Sequence, residues 1–344
     1  MQCKLNKLIL VSLATAFWSI QASAQFLPRG ITQVTDNLYW AHQDSHRTVL
    51  LVTEDGVMMT DPISTEFSLW LKDEIQSRFG VPVRYVLYSH HHWDHASGGA
   101  VFEDTATFVG HENMLHNLEL PSADTPLPQD AEALDANGNG QLERNETDGE
   151  MLSLFDLFDA DGDGNLSGAE IERGAVGDVR PPDMTFRDQM TVRLGGEEAK
   201  LFHVGPMLHT DAMSAIVFPG ESAVFVVDFI TTGRLPYVDY FTGFAENGIL
   251  PEDLDSWLNA IRVVEMLDVD IVTPGHGSVG TIADVREHRH YIEDLRDSVA
   301  AAAARGESME EVQRSVTLSE YSHLFNYDDW REIQVGAMYR MMTQ

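Results

Sequence analysis

Ser89-His90-His91-His92-Trp93-Asp94-His95 packs four imidazoles and a carboxylate into seven residues, directly after an apolar run, Val83 to Tyr88, that reads as a buried strand. In an extended backbone, side chains two apart share a side, so His90 and His92 face one way and His91 the other. Asp94 and His95 offer a second set just beyond, and Ala96-Ser97-Gly98-Gly99 lets the chain turn. Neutral imidazole nitrogen and carboxylate oxygen suit zinc and its neighbours. A chain carrying this segment must fold so that a strand end meets further donors. Candidates recur in the right place. His209 follows Phe202–Leu208, Asp228 ends Val224–Val227, His276 sits in Thr273-Pro274-Gly275-His276-Gly277, and Asp61 in Thr60-Asp61-Pro62. Ends of buried strands are where α/β folds build their sites. The other histidines, His46 among them, read as ordinary core or surface residues.

The remaining pattern alternates strands with helices. Leu38–Trp40, Thr48–Val52 and Val57–Thr60 read as strands, with a turn at Asp55-Gly56. Thr65 to Phe79 reads as an amphipathic helix stopped by Gly80. Thr107–Val109, Met190–Leu194, Ala199–Val204, Ala215–Phe218, Ala223–Val227 and Ile271–Thr273 read as strands. His111–Leu118, Glu252–Leu267 and Ile282–Arg305 read as helices, and the chain from Glu307 as helical.

The order of these motifs resembles the metallo-β-lactamase-fold hydrolases over residues 30–120 and 180–305. The resemblance implies an α/β fold, an αββα sandwich of two mixed sheets between helices. It implies one zinc held by His90, His92 and His209, a second by Asp94, His95 and His276, and Asp228 bridging them. Iron or manganese also suits such donors. The implied chemistry is attack of a metal-bound hydroxide on the carbonyl of an ester, thioester, lactone or β-lactam. Asp94 would be both ligand and catalytic orienter of that nucleophile, and Asp61 would orient a ligand histidine. Members with a related Gly-Pro-x-His turn have one residue before the histidine, where this chain has Met207-Leu208. A bridging Asp at position 228 is typical of the thioesterase, lactonase and general hydrolase branches, whereas the best-studied β-lactamase subclass has cysteine there. Trp93, Tyr88, Arg234, Tyr237 and Tyr240 are candidates for the substrate mouth.

Between Asp124 and Asp178 the composition changes to 15 acidic residues against Arg144 and Arg173. Two 12-residue segments there match EF-hand calcium loops. One offers Asp135, Asn137, Asn139, Gln141 through its carbonyl, and Glu146, with Gly140 at the sixth position. The other offers Asp159, Asp161, Asp163, Asn165 and Glu170, with Gly164 sixth. Ca²⁺ takes six to eight oxygens and the loop needs glycine at its sharp turn. Leu142 and Leu166 should pair in a short strand, and Thr147–Phe158 leaves room for one connecting helix. Such an insert would brace a lid beside the catalytic mouth or regulate it. The expected organisation is a secretory signal over 1–24, the first part of the hydrolase domain over 25–122, the EF-hand pair over 123–178, and the second part with C-terminal helices over 179–344.

Lys4 and Lys7, the apolar stretch Leu8–Ile20 and Ala22-Ser23-Ala24 form the expected signal, implying a periplasmic or secreted protein. The only cysteine, Cys3, lies inside it, so no disulfide or thiolate site is expected in the mature chain. No later apolar run is long enough for a membrane span. With 22 Lys+Arg against 55 Asp+Glu, the formal charge is −33, which disfavours nucleic acid and anionic membranes as partners. A small-molecule carbonyl substrate fits better. A different class of function, a calcium-dependent binding or scaffold protein on an inactive hydrolase fold, would need the seven-residue donor set to be incomplete.

Overall fold

The computed structural model describes residues 27–246 and 248–343. The expected secretory segment lies outside them. The first half contributes β1 (Leu27–Gln33), β2 (Leu38–Asp44), β3 (His46–Thr53), β4 (Gly56–Met59), β5 (Val83–Leu87) and β6 (Thr107–His111). The acidic segment holds β7 (Gln141–Glu143) and β8 (Asn165–Ser167), and the chain then re-enters the first sheet as β9 (Met184–Phe186). The second half supplies β10 (Gln189–Leu194), β11 (Glu197–His203), β12 (Ser214–Phe218), β13 (Ala223–Val226) and β14 (Ile271–Pro274).

Strands β1 to β6 lie in sequence order, with β9 beside β6, and β10 to β14 form a second sheet. Both sheets are mixed. The first changes from antiparallel to parallel between β4 and β5, the second between β13 and β14. The sheets pack face to face through Val49, Leu51, Met58 and Leu87 on one side and Leu201, Ile216, Phe225 and Val227 on the other. Strand β13 is apolar on both faces because Val224 and Val226 point outward into a second core, against the helices Leu254–Glu265, Ile282–Ala304 and Tyr327–Thr343. The layers are helices, sheet, sheet, helices, as expected.

The helix Thr65–Phe79 shows why local sequence suffices at some places. The Ser64 hydroxyl accepts from the amide of Phe67 at 3.2 Å, Phe67, Leu71 and Ile75 fall on one buried face, and Gly80 ends it at φ 69°. Gly80 is suited because the left-handed region costs a side chain about 1 kcal/mol or more.

Within the acidic segment, Leu142 pairs with Leu166, and both enter a small core with Ala131 and Phe155. Gly140 and Gly164 turn at φ 81° and 87°. The connecting helix expected over Thr147–Phe158 is in fact two short turns, Gly149–Ser153 and Phe155–Phe158, broken at Leu154, whose φ −105° and ψ 10° are not helical. Broken in this way, the connection lets Phe155 fill the small core with Met151 packed against it, while Leu154 faces the rest of the molecule. Among the described residues no helix is long and apolar enough to cross a membrane.

Candidate metal centre

The ends of β4, β5, β13 and β14, the β11–β12 loop and the β2–β3 turn meet at one edge of the sandwich. His90 follows β5, and His92 caps the helical turn Trp93–Ala96 that carries Asp94 and His95. Asp228 follows β13 at φ 63°, an uncommon conformation for a residue with a side chain, which aspartate tolerates better than most. His276 follows β14.

These side chains form two groups. His90, His92, His209 and Asp228 bring donor atoms within 4.8 Å of one another, and so do His46, Asp94, His95 and His276. Asp228 joins them. Its Oδ2 lies 3.1 Å from His90 Nε2 and 3.0 Å from His209 Nε2, while Oδ1 lies 3.3 Å from His95 Nε2 and 3.1 Å from His276 Nε2. One oxygen therefore faces each group. His95 Nε2 is also 3.4 Å from Asp94 Oδ2.

The donor set fits a pair of small divalent cations. A tetrahedron with arms of about 2.0–2.1 Å has edges of roughly 3.3 Å, close to these separations. His95 and His276 point Nε2 at each other across 3.0 Å, and His90 and His209 do so across 3.3 Å. Two facing lone pairs repel unless a proton or cation lies between them. Among the described residues His95 Nδ1 is buried without a hydrogen-bond partner, 3.8 Å from Asp61 Oδ2.

Supporting residues set the tautomers. Asp61, fully buried, accepts from the Ser89 amide at 2.8 Å and the Ser89 hydroxyl at 2.6 Å. With its proton committed to Asp61, the Ser89 hydroxyl accepts from His90 Nδ1 at 2.9 Å. His90 Nε2 is then left as the acceptor facing Asp228. Asp61 thus acts on His90 through Ser89. Ile63, two residues on, is held at φ 69° with its amide bonded to the carbonyl of His95 at 2.8 Å. A β-branched residue there stores about 1–3 kcal/mol of strain.

Burial pushes His90 down to about 4 and His92 well below its usual value, so both stay neutral, the state that offers lone pairs. For Asp228, burial favours the neutral acid, but the charges and hydrogen bonds of His95 and His209 outweigh it and hold the carboxyl well below its ordinary range. The same contest runs the other way at His95, where burial is outweighed by Asp228 and Asp94 and the ring rises to about 10. The pocket therefore favours added positive charge. Burial also raises Asp61 to about 7.

His91 turns from both groups, with Nδ1 3.3 Å from Asn117 Nδ2. Trp93, Arg234, Tyr237 and Tyr240 line a cleft of about 530 Å³ with Asp94, Asp228 and His276. Tyr88 does not reach it and donates instead to the carbonyl of Arg180 at 2.8 Å. Glu150 of the acidic segment joins the same cleft, and Met151, Leu154 and Arg173 border the adjoining one beside His92 and Trp93.

The model of the metallo-beta-lactamase superfamily matches residues 43–276, more than half of the chain. The chain belongs to the metallo-beta-lactamase superfamily. DIM-1 metallo-beta-lactamase superposes with a TM-score of 0.51 at 15% identity, over 78% of this chain and 99% of that one. FIM-1 metallo-beta-lactamase from Pseudomonas aeruginosa, in its mono-zinc form, gives 0.51 at 11% identity, over 79% and 98%. At these identities the likeness is one of fold. No curated protein matches this sequence.

The superfamily match spans all seven residues singled out from the sequence for the two metal sites, and the fold brings all seven together. One participant escaped the sequence reading. His46 Nε2 lies 3.1 Å from Asp94 Oδ2, inside the second group. Nothing near His46 in the sequence marks it, because its position depends on the β2–β3 turn folding over the end of β14.

Proposed function

We propose that this protein is an exported, dinuclear metal-dependent hydrolase that attacks the carbonyl of a small ester, thioester, lactone or β-lactam. The observation that carries the reading is Asp228, whose two oxygens each face one donor group. His90, His92 and His209 would hold one cation and Asp94, His95 and His276 the other. Divalent cations bound there supply Lewis acidity for a carbonyl oxygen and lower the pKa of water from 15.7 to about 7. Zinc suits the imidazole-rich set, and iron or manganese would also be accepted.

The chain's own residues do the rest. Asp94 faces the cleft, and burial there is outweighed by His95 and His46, which keep its carboxyl ionised. It would orient the attacking water and accept its proton. Asp61 and Ser89 hold His90 in one tautomer. Trp93 and Tyr240 wall off solvent beside the donors. Arg234 is nine-tenths buried on the same cleft, and among the described residues its guanidinium has no hydrogen bond or ion pair, resting 5.0 Å from the Trp330 ring. A buried, unpaired cation favours a substrate bearing an anionic group such as a carboxylate.

The acidic segment is read as a calcium-binding pair that braces or regulates the cleft. Support comes from the glycine turns at 140 and 164, from the oxygens of Asp159, Asp161 and Glu170 lying within 4.8 Å, and from Glu150 at the mouth. Export rests on residues 1–24. Metal analysis of the purified mature chain, followed by chromogenic β-lactam, lactone, thioester and phosphodiester substrates, tests the proposal. About two transition-metal ions per chain and turnover of a carbonyl substrate are expected. Absence of transition metal would reject it.

A further inference from the structure

The donor set inferred from the superfamily leaves His46 unused, yet the fold delivers it to the second group with unusual care. The turn between β2 and β3 is held from behind at three successive carbonyls. Arg47 Nη1, on a side chain 1% exposed, donates to the carbonyls of Asp44 at 2.7 Å and His46 at 2.8 Å. The carbonyl of Ser45 between them faces His276 Nδ1 at 3.0 Å. Asp44 itself is bent to φ 52°. Arg47 makes no ion pair among the described residues, so a buried cation is committed to shaping this one turn. The Ser45 hydroxyl lies 3.4 Å from His46 Nδ1, leaving Nε2 directed at Asp94. The His46 ring stands 4.8 Å from that of His276 and 5.5 Å from that of His95, centroid to centroid.

Resting on the dinuclear reading above, we infer that His46 is a resident ligand of the second cation, beside Asp94, His95 and His276. An imidazole on a rigid tip, among three donors within 4.8 Å, matches what a metal ligand needs in reach and pre-organisation. The two sites then differ. The second has His46, Asp94, His95 and His276 plus Asp228 Oδ1, whereas the first has three histidines plus Asp228 Oδ2. With five donors against four, the second site retains its ion more tightly than it would without His46.

The competing role is a hydrogen-bond donor that merely orients Asp94. Two variants of the full-length protein separate the roles, His46→Ala and His46→Gln. The glutamine amide reaches the position of Nε2 and can still donate to Asp94 but is a poor zinc ligand. Each equivalent of zinc is measured by competition with a chelating dye, and the visible spectrum is recorded for the cobalt-substituted protein. Both variants should weaken one equivalent by about 10-fold or more and leave the other within about 2-fold. The cobalt spectrum of that equivalent alone should change. Circular dichroism of the metal-free variants checks folding, which the quarter-exposed side chain of His46 makes tolerant of change. Wild-type affinity and spectrum in His46→Gln would overturn the inference while leaving the dinuclear site intact. Fewer than two equivalents in the wild type would overturn the dinuclear reading and this inference together.

Discussion

His276 Nδ1 lies 3.0 Å from the carbonyl oxygen of Ser45, joining residues 231 positions apart. A carbonyl only accepts, so Nδ1 carries the proton and Nε2 presents its lone pair to Asp228 and His95. His276→Ala should therefore cost one of two metal equivalents and lower turnover about 100-fold. Asp44→Pro, which cannot adopt φ 52°, should weaken the same equivalent by roughly 10-fold, whereas Asp44→Gly should leave it unchanged. Metal titration of the three variants checks the order.

Asp228→Asn separates charge from backbone. Asparagine tolerates the left-handed conformation, so the turn should survive. The loss of the shared carboxylate should weaken both metal equivalents together, unlike any single histidine change. Metal analysis alongside far-ultraviolet circular dichroism reads both effects.

Much of this centre was legible in the sequence, and the reasons are local. The His90–His95 segment, the stop at Gly80 and the pairing of Leu142 with Leu166 follow from periodicity and turn chemistry over a few residues. His46 and Arg47 were not legible. Their roles arise only when the β2–β3 turn meets β14, a contact between distant parts of the chain. The break at Leu154 was hidden for a similar reason, since Phe155 is drawn into the core of the acidic segment while Glu150 and Leu154 border the clefts.

Arg234→Met keeps an unbranched apolar side chain and removes the charge that rests beside the Trp330 ring. For a pair of substrates differing only in a carboxylate, kcat/KM for the acid should fall about 10-fold or more, with the neutral partner little affected. Equal losses for both would remove the anion-binding role.

Calcium binding should register in stability. In zinc-replete buffer, adding millimolar calcium should raise Tm by about 5 °C if it saturates the loops. The rise should vanish in a Glu170→Gln variant. Altered kcat/KM alongside the Tm shift indicates control of the cleft, and unchanged kinetics indicates bracing alone.

His288 is buried, with Nδ1 3.2 Å from the Thr231 hydroxyl. Burial lowers it from 6.5 to about 4, so the unfolded chain binds its proton more readily than the folded one. Stability from this residue is whole above pH 6.5 and is lost as pH falls to about 4, by up to about 3 kcal/mol. His288→Asn should flatten that part of the acid limb, as denaturant unfolding at pH 7, 5.5 and 4 would show.

Strands β6 and β9 pair directly, although the whole acidic segment intervenes between them. The sheet is thus complete without that segment, while the mouth of the cleft is not. Recombination or engineered grafting at this seam would exchange the roof over the two donor groups and so redirect which molecules gain entry, with the histidines and aspartates beneath left undisturbed.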